Sequence, residues 1–124
     1  MTGPSAPLER ILLHVKGSRR LVIEPHDVYY LEAPGDEAIV RRRGRQTLRD
    51  VRSLGEVMPA FRRCHFHRIH DTWAVILLRI REIRLQRDGR DWEVTMQPPV
   101  NRVLPVSRRR LTGLMRRFGN PGQP

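Results

Sequence analysis

The segment from Phe66 to Ile83 constrains the fold of this chain more than any other segment does. It starts as a basic, histidine-rich stretch, becomes almost wholly apolar between Trp73 and Leu78, and ends in an alternation studded with arginine. Apolar runs are typical of buried strands, and alternation is typical of strands with one wet face. A solvent-facing basic surface and a buried β-core must therefore meet inside this one segment.

Short strand patterns occupy much of the chain on both sides of this segment. Residues 11–16 and 21–24 are predicted as a hairpin around a turn at residues 17–20, and residues 38–40 as a strand that continues into three arginines. Residues 79–86 and 91–96 are predicted as strands joined through Asp88 and Gly89, a pair that favours hairpin turns. In the second of them, residues 92, 94 and 96 should be buried and residues 93 and 95 wet. The pattern predicts a mainly β domain.

Two short helices are expected among these strands. Ser53 and Glu56 have the spacing of a capping box, and Pro59 should kink or end the helix early because it lies past the first turn. Ser107 is a good N-cap for a second helix. The apolar stripe of that helix is Leu111, Leu114, Met115 and Phe118, and it ends at Gly119 and Pro121.

At 124 residues the chain is expected to form one domain, over residues 8–118, between a flexible tail at residues 1–7 and a C-terminal tail at residues 119–124. Cys64 is the sole cysteine, so no intrachain disulfide can form. The sequence has no apolar run long enough to span a membrane and no signal-peptide core. These features predict a cytoplasmic protein.

The net charge of +11 is unevenly distributed. Residues 41–70 contain nine arginines against two acids, and residues 99–124 contain six arginines and no acid, whereas residues 1–40 are slightly acidic. Two basic blocks that meet on one face after folding would suit a nucleic acid. The same charge would also serve general solubility, or weak binding to any polyanion, an anionic membrane included.

The central segment resembles the signature of the LytTR family of bacterial DNA-binding domains, approximately F-x-R-I-H-R-S-Y-x-V-N-x-x-x-I-x-x-I. The matching residues are Phe66, Arg68, Ile69, His70, Val75, Ile80 and Ile83, with Thr72 and Trp73 close to the family's serine and tyrosine. Residues 27–33 resemble the family's D-I-x-Y-I-E-A segment, and residues 104–108 its closing L-P-V-S-R. The resemblance implies an elongated arrangement of small antiparallel β-sheets with two short helices.

The resemblance also implies how the domain would bind DNA, with loops entering successive major grooves from one side of the duplex. The implied base contacts are Arg108, which can pair with guanine, the loop residues Asp36 and Glu37, and Ile76 at the signature's V-N position. The expected phosphate contacts are basic or hydroxyl side chains: Arg41, Arg42, Arg43, Arg62, Arg63, Arg68, His70, Thr72, Ser107, Arg109 and Arg110.

Two residues depart from the signature, and both affect function. Asp71 replaces the usual arginine and would repel phosphates, and Ile76 replaces an asparagine and could touch only a thymine methyl. Ile76→Asn is therefore expected to add selectivity. The departures favour altered specificity or weaker affinity, and they leave open an alternative, a protein-interaction module that keeps the fold and has lost specific DNA binding.

The chemistry of the remaining side chains predicts no enzyme, no cofactor and no metal site. Cys64, His65, His67 and His70 match no standard zinc spacing, and no nucleophile lies beside a plausible base. The two tyrosines and two tryptophans are expected in the core, not as base-stacking platforms. The expected partners are duplex DNA, a second copy on direct repeats, and a regulatory protein; no membrane is expected.

Overall fold

The structure is a computed structural model that describes residues 10–44 and 46–119. The predicted tail at residues 1–7 and nearly all of the predicted tail at 119–124 lie outside the described residues. Within the described residues, ten strands form three antiparallel sheets of two, five and three strands. In chain order the strands are β1 (Ile11–Val15), β2 (Arg19–Ile23), β3 (Val28–Glu32), β4 (Ala38–Arg42), β5 (Thr47–Asp50), β6 (Phe66–Arg68), β7 (Trp73–Ile76), β8 (Ile80–Leu85), β9 (Trp92–Met96) and β10 (Val103–Val106). The helices are α1 (Leu54–Val57) and α2 (Arg108–Arg116), with 3-10 turns at Pro25–Asp27, Met58–Phe61 and Leu77–Arg79.

The five-stranded sheet is the middle layer of the domain, in the order β5-β4-β3-β7-β6. Successive residues of β7 alternate between two hydrophobic cores: Ala74 and Ile76 pack in the first, and Val75 packs in the second. Both faces of the sheet are therefore covered at β3 and β7, which explains why these two strands are nearly continuous apolar runs. A bulge at Tyr29 interrupts the pairing of β3 with β4, so that Tyr29 and Tyr30 both enter the second core.

The first core lies between the middle sheet and the β1–β2 hairpin together with α1 and the 3-10 turn that follows it. Its buried residues are Ile11, Leu13, Val15, Ile23, Val28, Leu31, Ala38, Val40, Leu54, Val57, Phe61, Ala74 and Ile76. Asp50, fully buried, ties the hairpin to the sheet edge because its carboxylate accepts from the backbone N–H of His14 at 2.9 Å.

The second core lies between the middle sheet and the three-stranded sheet β10-β9-β8 together with α2. Its buried residues are Tyr29, Tyr30, Ile69, Val75, Leu77, Val94, Met96, Leu104, Val106 and Leu114. α2 covers the edge strand β6: the guanidinium of Arg117 donates to the carbonyl of Phe66 at 2.9 Å, and the imidazole of His67 lies against Gly113. Desolvation, and then the charges of Arg117 and Arg110, hold the pKa of His67 below its usual value.

Most of the predicted local structure is present. The capping box forms in both directions, with Ser53 N–H donating to Glu56 at 2.9 Å and Glu56 N–H donating to Ser53 Oγ at 3.3 Å. The α-helix ends after four residues and continues as a 3-10 turn that contains Pro59, in agreement with the expected early stop. Asp88 and Gly89 form the predicted turn, in which Gly89 has a φ of +72°.

Three local predictions were wrong in detail. Arg19 and Arg20 belong to β2 and not to the first turn, because Gly17 and Ser18 both adopt positive φ and close the hairpin sooner. Thr95 is 5% exposed where a wet face was expected. In α2 only part of the predicted stripe is buried: Leu114 is fully covered, but Met115 and Phe118 are each more than a third exposed.

Of the helices in the described residues, none is both long and apolar enough to cross a bilayer. The same residues contain no group of three histidine, cysteine, aspartate or glutamate side chains arranged to hold a metal ion.

Candidate nucleic-acid interface

Three segments that the sequence predicted to contact DNA meet at one end of the middle sheet. They are the β3–β4 loop (residues 33–37), the β6–β7 turn (residues 69–72) and the start of α2 (residues 107–110). The backbone N–H of Ala33 donates to the carbonyl of Thr72 at 2.9 Å, and that of Ser107 donates to the carbonyl of Ile69 at 2.8 Å. These two hydrogen bonds fix the three segments side by side. We refer to the three segments together as the turn-end surface.

The β6–β7 turn is shaped by its own side chains. The guanidinium of Arg68 donates to the carbonyls of His70 at 3.3 Å and Asp71 at 2.5 Å. His70 Nδ1 lies 3.1 Å from the hydroxyl of Thr72. The same nitrogen accepts a hydrogen bond from the backbone N–H of Thr72 at 3.3 Å. Arg68, His70 and Thr72 were predicted as phosphate contacts, but each makes hydrogen bonds within the turn. Their observed contacts position Asp71.

Asp71 is the side chain that this turn presents to solvent, with 70% of it exposed. Its carboxylate lies 2.8 Å from the guanidinium of Arg109 and 3.5 Å from that of Arg110. The hydrogen bond from Arg109, together with its charge, lowers the pKa of Asp71. The sequence indicated only that Asp71 would repel a phosphate. In the structure Asp71 lies beside Arg109 and Arg110, two arginines that were expected to bind phosphates. Asp71 and Arg109 are 38 residues apart, so no local pattern could reveal the pair.

Arg108 is the first residue of α2 and is 72% exposed. Its Nε lies 3.5 Å from a carboxylate oxygen of Asp91, in a pair that is open to solvent on both sides. Exposed pairs of this kind are worth at most about 1 kcal/mol. Arg108 can therefore leave Asp91 for a stronger planar acceptor at little cost.

Ser107 occupies the N-cap position, as predicted, but its hydroxyl makes no capping hydrogen bond. The Oγ atom is buried and has no hydrogen-bond partner among the described residues. A buried hydroxyl is poorly placed to reach a phosphate, and the phosphate contact of the Ser107 side chain stays a prediction that this burial does not favour. Its backbone N–H instead holds the start of α2 against the β6–β7 turn.

The β3–β4 loop contributes carboxylates to the turn-end surface. Asp36 is exposed and makes no ion pair with another described residue, whereas Glu37 lies 3.4 Å from the guanidinium of Arg49. Both side chains are accessible at the surface. A free carboxylate can accept a hydrogen bond from the amino group of cytosine.

Ile76 does not belong to this surface. It lies at the opposite end of β7, beside Phe66, and is 4% exposed. A side chain packed in the first core is poorly placed to touch a base, and the base contact at Ile76 stays a prediction that this burial does not favour. The uninterrupted apolar run from residue 73 to residue 78 was the available signal, because such a run is typical of a strand buried on both faces.

The remaining predicted phosphate contacts lie at the far end of the middle sheet. Arg41 and Arg42 end β4, and Arg43 follows them. The four steps of β4 from Ala38 separate these arginines from the β3–β4 loop by about 13 Å. Arg62 and Arg63 are exposed and follow the 3-10 turn after α1. The basic residues therefore form two groups at opposite ends of the sheet, where the sequence suggested a single face.

A groove of 630 Å³ lies at the far end of the middle sheet, beside the arginines that end β4. Arg42 and Arg43 line it together with Asp27 and Gln46. The Nε of Arg42 is buried and has no partner among the described residues.

Comparisons with known proteins agree with this architecture. A family model described as the LytTr DNA-binding domain matches residues 18–119. A solved LytTr DNA-binding domain from Bacillus cereus superposes with a TM-score of 0.72 at 19% sequence identity, covering 91% of this chain and 99% of that one. No curated protein matches the chain.

Proposed function

The chain belongs to the LytTR family of DNA-binding domains, and on that premise we propose that it regulates transcription by reading duplex DNA with its turn-end surface. The observation that carries the proposal is the pair of backbone hydrogen bonds that join residues 33–37, 69–72 and 107–110. Loops on a rigid scaffold can be aimed at base edges with little loss of entropy on binding. The turn-end surface has this property.

Within the turn-end surface we assign base contacts to exposed side chains at its two margins, the start of α2 and the β3–β4 loop. Arg108 pairs with O6 and N7 of a guanine, a contact that is worth about 1–3 kcal/mol of discrimination. Asp36 and Glu37 lie in the β3–β4 loop and accept from cytosine amino groups. Arg109 and Arg110 lie between these margins, beside Asp71, and contact phosphates.

The far-end arginines add affinity without sequence preference. A duplex that lies along the strands of the middle sheet passes from the turn-end surface to Arg42 and Arg43, and the groove that these two arginines line supports a phosphate contact there. Arg41, Arg62 and Arg63 extend this group. Each phosphate neutralised releases counterions, and the affinity becomes more dependent on salt.

A second copy on a direct repeat and a regulatory protein partner are further parts of the proposal. One copy reaches a short stretch of duplex from one side, so two copies side by side would lengthen the site that is read. Specific protein–DNA sites usually need more contacts than one small module offers.

An interaction module that binds a protein instead of DNA is the second candidate. The observation in its favour is that carboxylates of Asp71 and Asp91 already pair with the arginines at the start of α2. A module of this kind would select no duplex sequence, which separates it from the first candidate.

The experiment that tests the proposal is selection of bound sites from a random duplex library, followed by competition with single-base-pair changes in the selected site. We expect a defined site, and we expect Arg108→Ala to lose preference at one guanine by about tenfold to a hundredfold. Arg109→Ala should weaken binding about equally on every sequence. Arg87→Ala, in the exposed β8–β9 turn, is the matched control and should change neither property.

Identical preference profiles for the wild type and Arg108→Ala would remove Arg108 from the reading surface. Failure to select any site would favour the interaction module.

A further inference from the structure

We propose that a pocket beside the end of β7 binds a small amphipathic carboxylate, a compact apolar body that carries one acid group. The pocket has a volume of 550 Å³ and lies between the 3-10 turn at Pro25–Asp27, the loop before β6, and the 3-10 turn at Leu77–Arg79. Pockets of roughly 300–1,000 Å³ are the usual size for small-molecule sites. This site lies away from the turn-end surface, and the inference does not depend on DNA binding.

The walls of the pocket are held together by the protein itself. The backbone N–H of Leu77 donates to the carbonyl of His65 at 2.7 Å. The guanidinium of Arg79 donates to the carbonyl of His26 and lies over the ring of Tyr29, 5.1 Å from its centroid. All three segments are therefore connected before a ligand arrives, so that ordering the site costs little on binding.

The backbone at His65 is strained in a way that shapes this pocket. Its φ is +51°, in the left-handed region that is uncommon for residues other than glycine, although asparagine, aspartate and histidine adopt it more often than the rest. The conformation persists because the carbonyl of His65 accepts from Leu77, and it leaves the imidazole exposed at the rim. Strain of this kind concentrates at ligand sites and switches, where the surrounding structure enforces it.

The chemistry of the lining selects the class of ligand. Pro25, Ile76 and Leu78 supply an apolar surface, and Leu78 is 69% exposed, the largest exposed fraction among the large apolar side chains of the described residues. Arg63 and Arg79 supply positive charge, and the lining contains no carboxylate. An acid group can pair with Arg63 while its apolar body covers Leu78 and reaches Ile76.

A phosphate alone would use only half of this site. Arg63 could bind a phosphate oxygen, but Ile76 and Leu78 would gain nothing from a purely ionic ligand. The ligand should therefore also carry an apolar body, and the volume of 550 Å³ has room for a chain of roughly eight carbons. Octanoate is therefore a suitable probe, with inorganic phosphate as the ionic control and octanol as the uncharged one.

The test is an NMR titration of the full chain with these three compounds. We expect octanoate to shift signals of the pocket residues, and both controls to bind about tenfold more weakly. Arg63→Gln and Leu78→Ser should each weaken octanoate binding by about tenfold. Arg81→Gln and Leu85→Ser change exposed side chains on β8, outside the pocket, and should leave the binding within about twofold of the wild type. Phosphate binding as tight as that of octanoate, or equal effects of pocket and control variants, would overturn the proposal.

A second measurement needs no variant. Cys64 is the sole cysteine of the chain and lines the pocket. Saturating octanoate should slow the reaction of its thiol with a maleimide, whereas the same concentration of phosphate should not. An unchanged rate with octanoate would contradict binding at this site, whatever the outcome of the DNA experiments.

Discussion

At the level of single residues, Asp71 sets how strongly the turn-end surface attracts a phosphate. Its carboxylate occupies the position beside Arg109 and Arg110 that a phosphate oxygen would otherwise take. All three groups remain partly accessible, so the internal pairs are weak and a phosphate can compete for both arginines. We therefore expect Asp71 to lower the affinity of the surface for DNA without abolishing it.

Asp71→Asn should therefore raise the affinity for duplex DNA by about fivefold, because it frees two arginines and removes a negative charge from the interface. The dependence on salt should become steeper by about one unit of the log–log slope if one more phosphate is neutralised. Glu82→Gln, which removes the same charge from the exposed face of β8, is the control for net charge alone. A gain no larger than that of Glu82→Gln, measured by fluorescence anisotropy at several salt concentrations, would show that Asp71 does not restrain the arginines.

Ile76 gives a second prediction at this scale, opposite to the one its sequence position suggested. Because it is packed in the first core, Ile76→Asn would bury an amide without partners and should destabilise the fold by about 3 kcal/mol or more. Leu78→Asn, two residues later and 69% exposed, should change the free energy of unfolding by no more than about 0.5 kcal/mol. Urea unfolding of both variants measures the difference. Equal stability of the two would mean that Ile76 is not in the core, and a gain in DNA selectivity would restore it as a base contact.

At the level of elements, the middle sheet depends on a buried ion pair at its edge. Both carboxylate oxygens of Asp50 accept hydrogen bonds. The backbone N–H groups of His14 and Arg52 each donate at 2.9 Å. The guanidinium of Arg52 donates twice, at 2.8 and 2.9 Å. The same guanidinium donates to the carbonyl of Leu12 at 3.3 Å. Burial alone would raise the pKa of Asp50, but the hydrogen bonds from Arg52 outweigh it and hold the pKa below the usual value. The pair connects β5 to the β1–β2 hairpin and so closes the first core.

Asp50→Ala should destabilise the domain by about 3 kcal/mol, because it leaves Arg52 and the His14 N–H without their acceptor. Glu37→Ala breaks the exposed pair with Arg49 and should cost at most about 1 kcal/mol. Chemical unfolding of the two variants under the same conditions gives the comparison. If Asp50→Ala were as mild as Glu37→Ala, Asp50 would not hold the hairpin in place.

For the molecule as a whole, the sequence predicted the type of fold better than it predicted the site. Turn residues, the capping box and Pro59 act locally, so their effects could be inferred from spacing alone. The family signature supplied the arrangement of sheets, which no local pattern could have given.

The burial of the Ser107 hydroxyl could not be inferred in this way, because it depends on which layers cover the strand ends. For Ile76 the apolar run from residue 73 to residue 78 did indicate burial. The Asp71–Arg109 pair joins a turn to a helix that follows it much later in the chain. The division of the basic residues between two ends of one sheet depends likewise on strand order, which the charge pattern does not encode.

The central claim is that this domain binds duplex DNA through arginines at the turn-end surface and at the far end of the middle sheet. The most direct test is the salt dependence of binding to a random-sequence duplex. If about five to eight phosphates are neutralised, the logarithm of the association constant should fall against the logarithm of the salt concentration with a slope of about −5 to −7. A slope near zero, or no binding at low salt, would contradict the account.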